Sequence, residues 1–431
     1  MMRPRSLSGS LTMKDRPSSP LPPVGLPSLE AMAHRAATVV ERLRARVFSP
    51  ESRKTLELRF PLASASAMAG CAEKQIRDAE ADGRLPAAAL HPGSGRHRER
   101  RIGYTLEDVN RMRDVFHSRP GRGEGDDPLI LAVQNFKGGV GKSTIVCHLA
   151  QYLALQGYRI CVVDCDSQAS TTSMFGLNPD IDIDEREETL YPFFRHGGPA
   201  SLDFTVRPTY WDGIALIPAN LGLYDAEYEF AARLVRESAR ALEKLREGLD
   251  TIKQRFDVVL LDPPPALGMI SLSVLRAADA LIVPAPPNSI DFGSTGHFLR
   301  MMVSTLQEIS RFAPAPAYKF VKILATKMNE TKSAHLSIKR MMDHVFPNEM
   351  MAAVLKDSAE IDNATANLKT VYEITGPACR SETHRRCRAS LDAVGGEVEI
   401  LIRKTWPSHH SRLRREGVLE SLKEGADGRT T

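Results

Sequence analysis

Between a strand-like apolar run at 129–133 and a helical one at 145–155 the chain reads Asn135-Phe136-Lys137-Gly138-Gly139-Val140-Gly141-Lys142-Ser143-Thr144. The glycines let backbone N–H groups turn towards an anion with no Cβ in the way. The helix that follows adds the favourable field of its N-terminus. Strand, Gly-rich loop ending in Lys-Ser, then helix is the context of a phosphate-binding loop. Lys142 is in reach of β- and γ-phosphates there, and the Ser143 hydroxyl can hold Mg²⁺. Two further apolar runs close on carboxylates: 160–163 leads into Asp164-Cys165-Asp166-Ser167-Gln168, and 258–261 into Asp262-Pro263-Pro264. Strand ends beside a phosphate site are where α/β sheets place chemistry. In that pattern Asp262 coordinates Mg²⁺ through water. For Asp164 and Asp166 a second reading stays open, that they only cap the next helix.

These residues need a scaffold that brings several strand ends together. Further strands are expected at 214–218, 280–284 and 320–325, alternating with helical stretches such as 239–256. That alternation predicts an α/β, doubly wound, mainly parallel sheet. An irregular insertion is expected at 176–212. With 431 residues the chain exceeds one typical domain. We expect a disordered tail at 1–28, an N-terminal DNA-binding domain at 29–118, a linker at 119–128, the sheet domain at 129–405 and a C-terminal tail at 406–431. No run approaches a membrane span or a secretory signal, so a cytoplasmic protein is expected. The six cysteines form no CxxC pair, and Cys161 and Cys165 read as buried strand residues rather than metal ligands.

Charge is uneven along the chain. Residues 1–127 hold 22 Lys+Arg against 16 Asp+Glu, and residues 379–431 hold 11 against 8; the remainder is acidic, 24 against 29. Basic flanks around an acidic middle favour nucleic-acid contacts from the ends. The region 29–47 has the spacing of one amphipathic helix, suited to a dimer contact. In 60–117 the pattern is helix, Gly70 turn, second helix with Lys74, Gln75 and Arg77 near its start, an Arg-rich hairpin with Arg96, Arg98, Arg100 and Arg101, and a last helix from Leu106. This resembles the winged helix-turn-helix of MerR-like regulators, in which the second helix meets base edges and the hairpin lies along phosphates. A solvated Arg-rich loop beside a helical hairpin is the other reading.

The loop Lys-Gly-Gly-Val-Gly-Lys-Ser resembles the deviant Walker A motif of the ParA/MinD ATPase family, and the order of domains is similar to its RepA-type plasmid-partitioning members. The resemblance implies ATP and Mg²⁺ bound by residues 137–144, with Lys137 crossing a dimer interface to the nucleotide of the other subunit. It implies that Asp166 orients the attacking water and that Asp164, Ser143 and Asp262 hold the metal shell. Ser167 departs from the family's Asp-x-Asp-Pro-Gln. Asn329 is then the adenine contact, or else a simple turn residue. The family's late helices bind DNA, which points to Arg380, Arg385, Arg386, Arg388, Arg403 and Lys404. Implied partners are a second copy, a ParB/RepB-type centromere-binding protein, nonspecific DNA and an operator, and the resemblance thereby implies a nucleoid-associated protein. The tail lacks the amphipathic membrane helix of MinD-like proteins. A DNA-binding transcriptional regulator with a ParA-like nucleotide switch is the alternative function.

Overall fold

The computed structural model describes residues 25–47, 55–91, 100–184, 187–311, 314 and 316–419. Two compact units are present, Met1–Ser49 and Pro50–Thr431. In the first, α1 (Leu26–Val47) is one helix whose Leu29, Met32, Val39 and Val40 are exposed.

The second unit begins with α2 (Leu62–Ala69) and α3 (Glu73–Ala81), which meet at Gly70. Its φ of 64° closes α2 in the left-handed conformation that glycine adopts without strain. The short antiparallel pair β1 (Leu90–His91) and β2 (Arg100–Arg101) follows. Then α4 (Leu106–Val115) starts in a capping box between Thr105 and Asp108. Ala65, Ala69, Ile76, Ala79, Leu85, Val109 and Met112 give this helix-turn-helix and hairpin a core of its own.

The α/β part carries β3 (Leu129–Val133), β4 (Ile160–Asp164), β5 (Arg207–Pro208), β6 (Ile214–Ile217), β7 (Val258–Asp262), β8 (Ala280–Ala285) and β9 (Phe320–Ala325). They form one sheet in the order β5-β6-β4-β7-β3-β8-β9. All pairs are parallel except the β5–β6 edge. Its helices are α5 (Lys142–Gln156), α6 (Ser170–Met174), α7 (Leu190–Phe194), α8 (Leu223–Glu237), α9 (Lys244–Ile252), α10 (Met269–Ala277), α11 (Ser289–Ile309), α12 (Ser333–Val345), α13 (Ala359–Thr365), α14 (Glu382–Lys404) and α15 (His410–Arg415). Both sheet faces are covered, which is why the central strands are apolar throughout rather than alternating. Leu129, Leu131 and Val133 share one core with Val146, Leu149 and Leu153 of α5 and with Val394, Val398 and Ile402 of α14. Ile130 and Ala132 share the other with Phe230, Leu249, Val274 and Phe298.

Several stretches differ from expectation. The single helix expected at 239–256 is α9 with 3-10 turns at both ends, a common way for a helix to tighten as it stops. The insertion 176–212 contains α7 and β5, and its Trp211 is fully buried. The expected linker is tied down. Arg122 donates to the Gln254 carbonyl at 2.7 Å, and the Trp406 indole donates to the Asp127 carbonyl at 3.0 Å. Trp406 and Leu413 are buried, so packed structure continues past the expected boundary at 405. Arg113 joins the two regions: it donates to the Met68 carbonyl at the end of α2 (3.1 Å) and to the Leu155 carbonyl at the end of α5 (2.7 Å).

Candidate nucleotide site

The loop after β3 sits where the parallel strands present their C-terminal ends. Gly139 and Gly141 have φ of 73° and 99°, a region that glycine adopts freely and that residues with a Cβ resist. Asn135 pins the loop start, accepting from the Lys137 N–H at 3.0 Å and donating to the Pro284 carbonyl of β8 at 2.8 Å. The Thr326 hydroxyl donates to the Val140 carbonyl at 3.0 Å and pins the far side. Lys142 opens α5 with its ammonium 3.3 Å from the Lys137 carbonyl. Burial lowers its pKa, while the carboxylates of Asp262 and Asp166 oppose that shift.

Asp164 and Asp262 lie side by side in register on β4 and β7, both fully buried. The Asp164 oxygens are occupied: one accepts the N–H (2.8 Å) and hydroxyl (2.7 Å) of Thr172, the other the Asp166 N–H (3.1 Å). Burial and the neighbouring Asp262 charge hold its pKa well above the ordinary carboxylate value. In Asp262 one oxygen accepts the Thr171 hydroxyl at 2.7 Å, and Oδ1 has no hydrogen-bond partner among the described residues. Burial pushes the Asp262 pKa up to about 6, moderated by Thr171, Ser143 and Lys142. A buried carboxylate oxygen left unpaired beside a serine hydroxyl suits a hard cation with oxygen ligands. The residues present therefore fit Mg²⁺ at Asp262 and Ser143, and the Asp164 oxygens are committed elsewhere. Asp166 is half-buried and accepts the Gln168 N–H at 2.9 Å, which caps its own turn.

Lys137 pairs with Asp291 in the first turn of α11, where Asn288 caps the helix. Beside the loop lies a pocket of about 220 Å³ lined by Gly139, Val140, Gly141, Thr144, Thr326 and Lys327 on one side. The other side is Leu355 to Ser358, with Ile361 and Asp362 of α13. Asn329 does not line it. Its side-chain oxygen accepts the Thr331 N–H (3.0 Å) and hydroxyl (2.6 Å), closing a turn. Sequence reasoning missed the 355–362 wall. Its signal is long-range: the Leu355 N–H donates to the Ala325 carbonyl at the end of β9 at 2.9 Å.

The AAA domain family matches residues 129–312. SopA of Escherichia coli (strain K12) is 33% identical over 332 residues, 75% of this chain and 83% of that protein. The chain belongs to the ParA family of partition ATPases. A putative replication protein A of Rhizobium rhizogenes is 29% identical over 397 residues, 89% of this chain and 96% of that one. Two solved structures share the ParA-like fold. A partition protein matches at TM-score 0.60 and 17% identity, covering 87% of this chain and 98% of its own. A variant of Cyanothece McdA in complex with ATP matches at 0.51 and 19%, covering 63% and 98%.

Around this ParA-type site the expected DNA contacts fall into distinct groups. Lys74, Gln75 and Arg77 are exposed on α3. The Gln75 side chain also accepts the Ala72 N–H at 2.8 Å, and Arg77 pairs with Glu73 at 2.9 Å. Arg101 is engaged internally by Glu80 at 2.7 Å and by Tyr104, so it fastens the hairpin to α3. Arg96 and Arg98 lie outside the described residues, and Arg100 is placed only by its backbone in β2. Arg385 is exposed and pairs with Glu382; Arg388 stacks over the Tyr372 ring at 5.3 Å. Arg403 differs from the surface role expected of it. Its side chain is 12% exposed and held by Glu416 at 2.9 Å, because α15 folds back over the end of α14. Among the described residues no helix is long and apolar enough to cross a membrane.

Proposed function

We propose that this chain is a plasmid- or replicon-partitioning ATPase. ATP with Mg²⁺ binds in the loop 137–144, and two copies close face to face over their nucleotides with each Lys137 on the partner's phosphates. The closed dimer binds DNA without sequence preference. A ParB/RepB-type centromere-binding protein stimulates hydrolysis, and the ADP form releases DNA. The winged unit reads an operator and represses the protein's own transcription. The observation that carries this reading is the buried Oδ1 of Asp262, without a hydrogen-bond partner among the described residues, beside Ser143 and Lys142 at the strand ends.

The roles follow from chemistry at each position. The Lys142 ammonium, desolvated and aimed along the loop, stabilises charge on the transferring phosphoryl group. Backbone N–H groups of 138–144 orient the phosphates. Ser143 and Asp262 hold Mg²⁺, which supplies charge neutralisation on the phosphate oxygens when bound. Asp166, half-buried and still open to solvent, accepts a hydrogen bond from the attacking water. Slow turnover suits a timed switch.

The test is DNA binding by fluorescence anisotropy with ATP, ADP or no nucleotide, on random duplex and on a fragment upstream of the protein's own gene. Binding to random duplex only with ATP, weakening steeply with salt, and its loss in Lys142→Ala is the expected result. Equal affinity in all three nucleotide states rejects the reading.

A further inference from the structure

Two aspartates that share a register position, a depth and a face of the sheet would be expected to behave alike. Their partners make them unlike, and both partners come from one short helix. Thr171 and Thr172 are neighbours on α6; Thr171 donates to Asp262 and Thr172 to Asp164, each at 2.7 Å. The turn into α6 is strained, since Ala169 is buried with φ of 53°. For a residue with a Cβ that conformation is disfavoured. The strained turn folds Ser170–Met174 back so that consecutive side chains reach two different strands.

The hydroxyl protons are assigned by what surrounds them. Thr172 Oγ1 accepts the Ala219 N–H at 2.9 Å, so its one proton goes to Asp164. The Thr172 N–H adds a second donor to the same oxygen, and the Asp166 N–H fills the other. Both Asp164 oxygens are thereby engaged by donors. Asp262 accepts the Thr171 hydroxyl on Oδ2, while its fully buried Oδ1, with the Ser143 side chain nearby, has no hydrogen-bond partner among the described residues.

We propose that Thr171 and Thr172 are positioning residues that give the two aspartates separate duties. Thr172 locks Asp164 as a structural acceptor. Thr171 fixes the rotation of the Asp262 carboxylate so that Oδ1 alone is presented to the Mg²⁺ of the bound nucleotide. The inference rests on the reading of this site as a Mg²⁺–ATP site. Groups that orient a metal ligand typically change metal affinity ten- to a hundredfold when removed.

The experiment measures binding of a fluorescent ATP analogue to the full chain in EDTA and across a Mg²⁺ titration. Thr171→Val keeps shape and removes the donor; Thr171→Ala covers the case in which the valine variant does not fold. Melting curves establish folding of each. The expected result is an increase of about tenfold or more in the Mg²⁺ needed for half-maximal enhancement of binding. Affinity in EDTA stays within about twofold, and Thr171→Ser restores the wild-type titration. A folded Thr171→Val or Thr171→Ala with a wild-type Mg²⁺ titration overturns the proposal, as does failure of serine to rescue. If the wild-type protein binds the analogue with no Mg²⁺ dependence, the site reading itself falls and takes this inference with it.

Discussion

His148 illustrates how one side chain near the phosphate loop sets a pH response. It lies on α5 one turn after Thr144. Its Nδ1 is 2.7 Å from the Thr144 carbonyl and its Nε2 is 3.2 Å from the Val371 N–H. A backbone N–H can only donate, so Nε2 accepts and the proton sits on Nδ1: the ring is neutral. Burial pushes its pKa down to about 4 from an ordinary 6.5. The unfolded chain therefore takes up a proton near pH 6.5 that the folded chain refuses until about pH 4. Its stabilisation is complete above 6.5 and is lost as pH falls through that window. Asp262 acts oppositely. Its pKa is raised on folding, so the folded state holds a proton that the unfolded state has released, and this group favours folding as pH falls. The two partly cancel in the wild type, so the difference between proteins is the informative quantity. His148→Asn should melt below wild type at pH 7, and the gap should narrow towards pH 4.5. A gap that is constant from pH 7 to 4.5 in thermal melts would show that His148 does not carry this dependence.

At the scale of elements, α5 connects the phosphate loop at its N-terminus to the helix-turn-helix at its C-terminus. Arg113 of α4 is the joint. One guanidinium, 2% exposed, reaches the terminal carbonyls of α2 and α5 and the side chain of Asn110, which in turn donates to Asp212 at 2.6 Å. A cation at two helix C-termini meets the negative ends of two helix dipoles and satisfies orphan carbonyls. Arg113→Gln leaves at least one buried carbonyl without a donor, at about 1–3 kcal/mol each. We expect a loss of about 2–4 kcal/mol in chemical denaturation and faster hydrogen exchange in α2 and α4 before β3 or β7. Unchanged exchange in α2 would show that the joint is not structural. None of this is legible in sequence, because Met68, Arg113 and Leu155 carry no local pattern that links them. Strands β3, β4, β7, β8 and β9 were legible, since buried parallel strands are short apolar runs and three of them end in the loop or the aspartates. The pocket wall at 355–362, the Asn110–Asp212 bond and the burial of Trp406 were not, because each depends on a partner far along the chain. Asn329 carried two readings for the opposite reason: a loop asparagine after a strand fits a ligand contact and a turn equally well, and its side chain here accepts the Thr331 hydroxyl of a turn.

At the scale of the whole molecule, the proposed dimer turns on what Lys137 does when a second copy approaches. In the single chain its ammonium is paired with Asp291, which is itself held by Asn288 at the start of α11. The two loops follow β3 and β8, which are neighbours in the sheet but distant in sequence. Reaching across to another subunit's phosphates requires Lys137 to leave that carboxylate. Both side chains are partly exposed, 33% and 17%, so solvent screens the pair and its strength is about 1 kcal/mol. In the proposed dimer, that contact would resist association in the absence of a better anion and would be outcompeted by a polyphosphate carrying several charges. Asp291→Asn removes the competitor but keeps a capping-competent side chain at the helix start. Sedimentation velocity with ATP and Mg²⁺ should then show self-association at about fivefold lower protein concentration than wild type. Lys137→Ala should show none with ATP, and the double variant should behave like Lys137→Ala, since the aspartate acts only through the lysine. Weaker association in Asp291→Asn would mean that Asp291 orients Lys137 for the partner rather than restraining it.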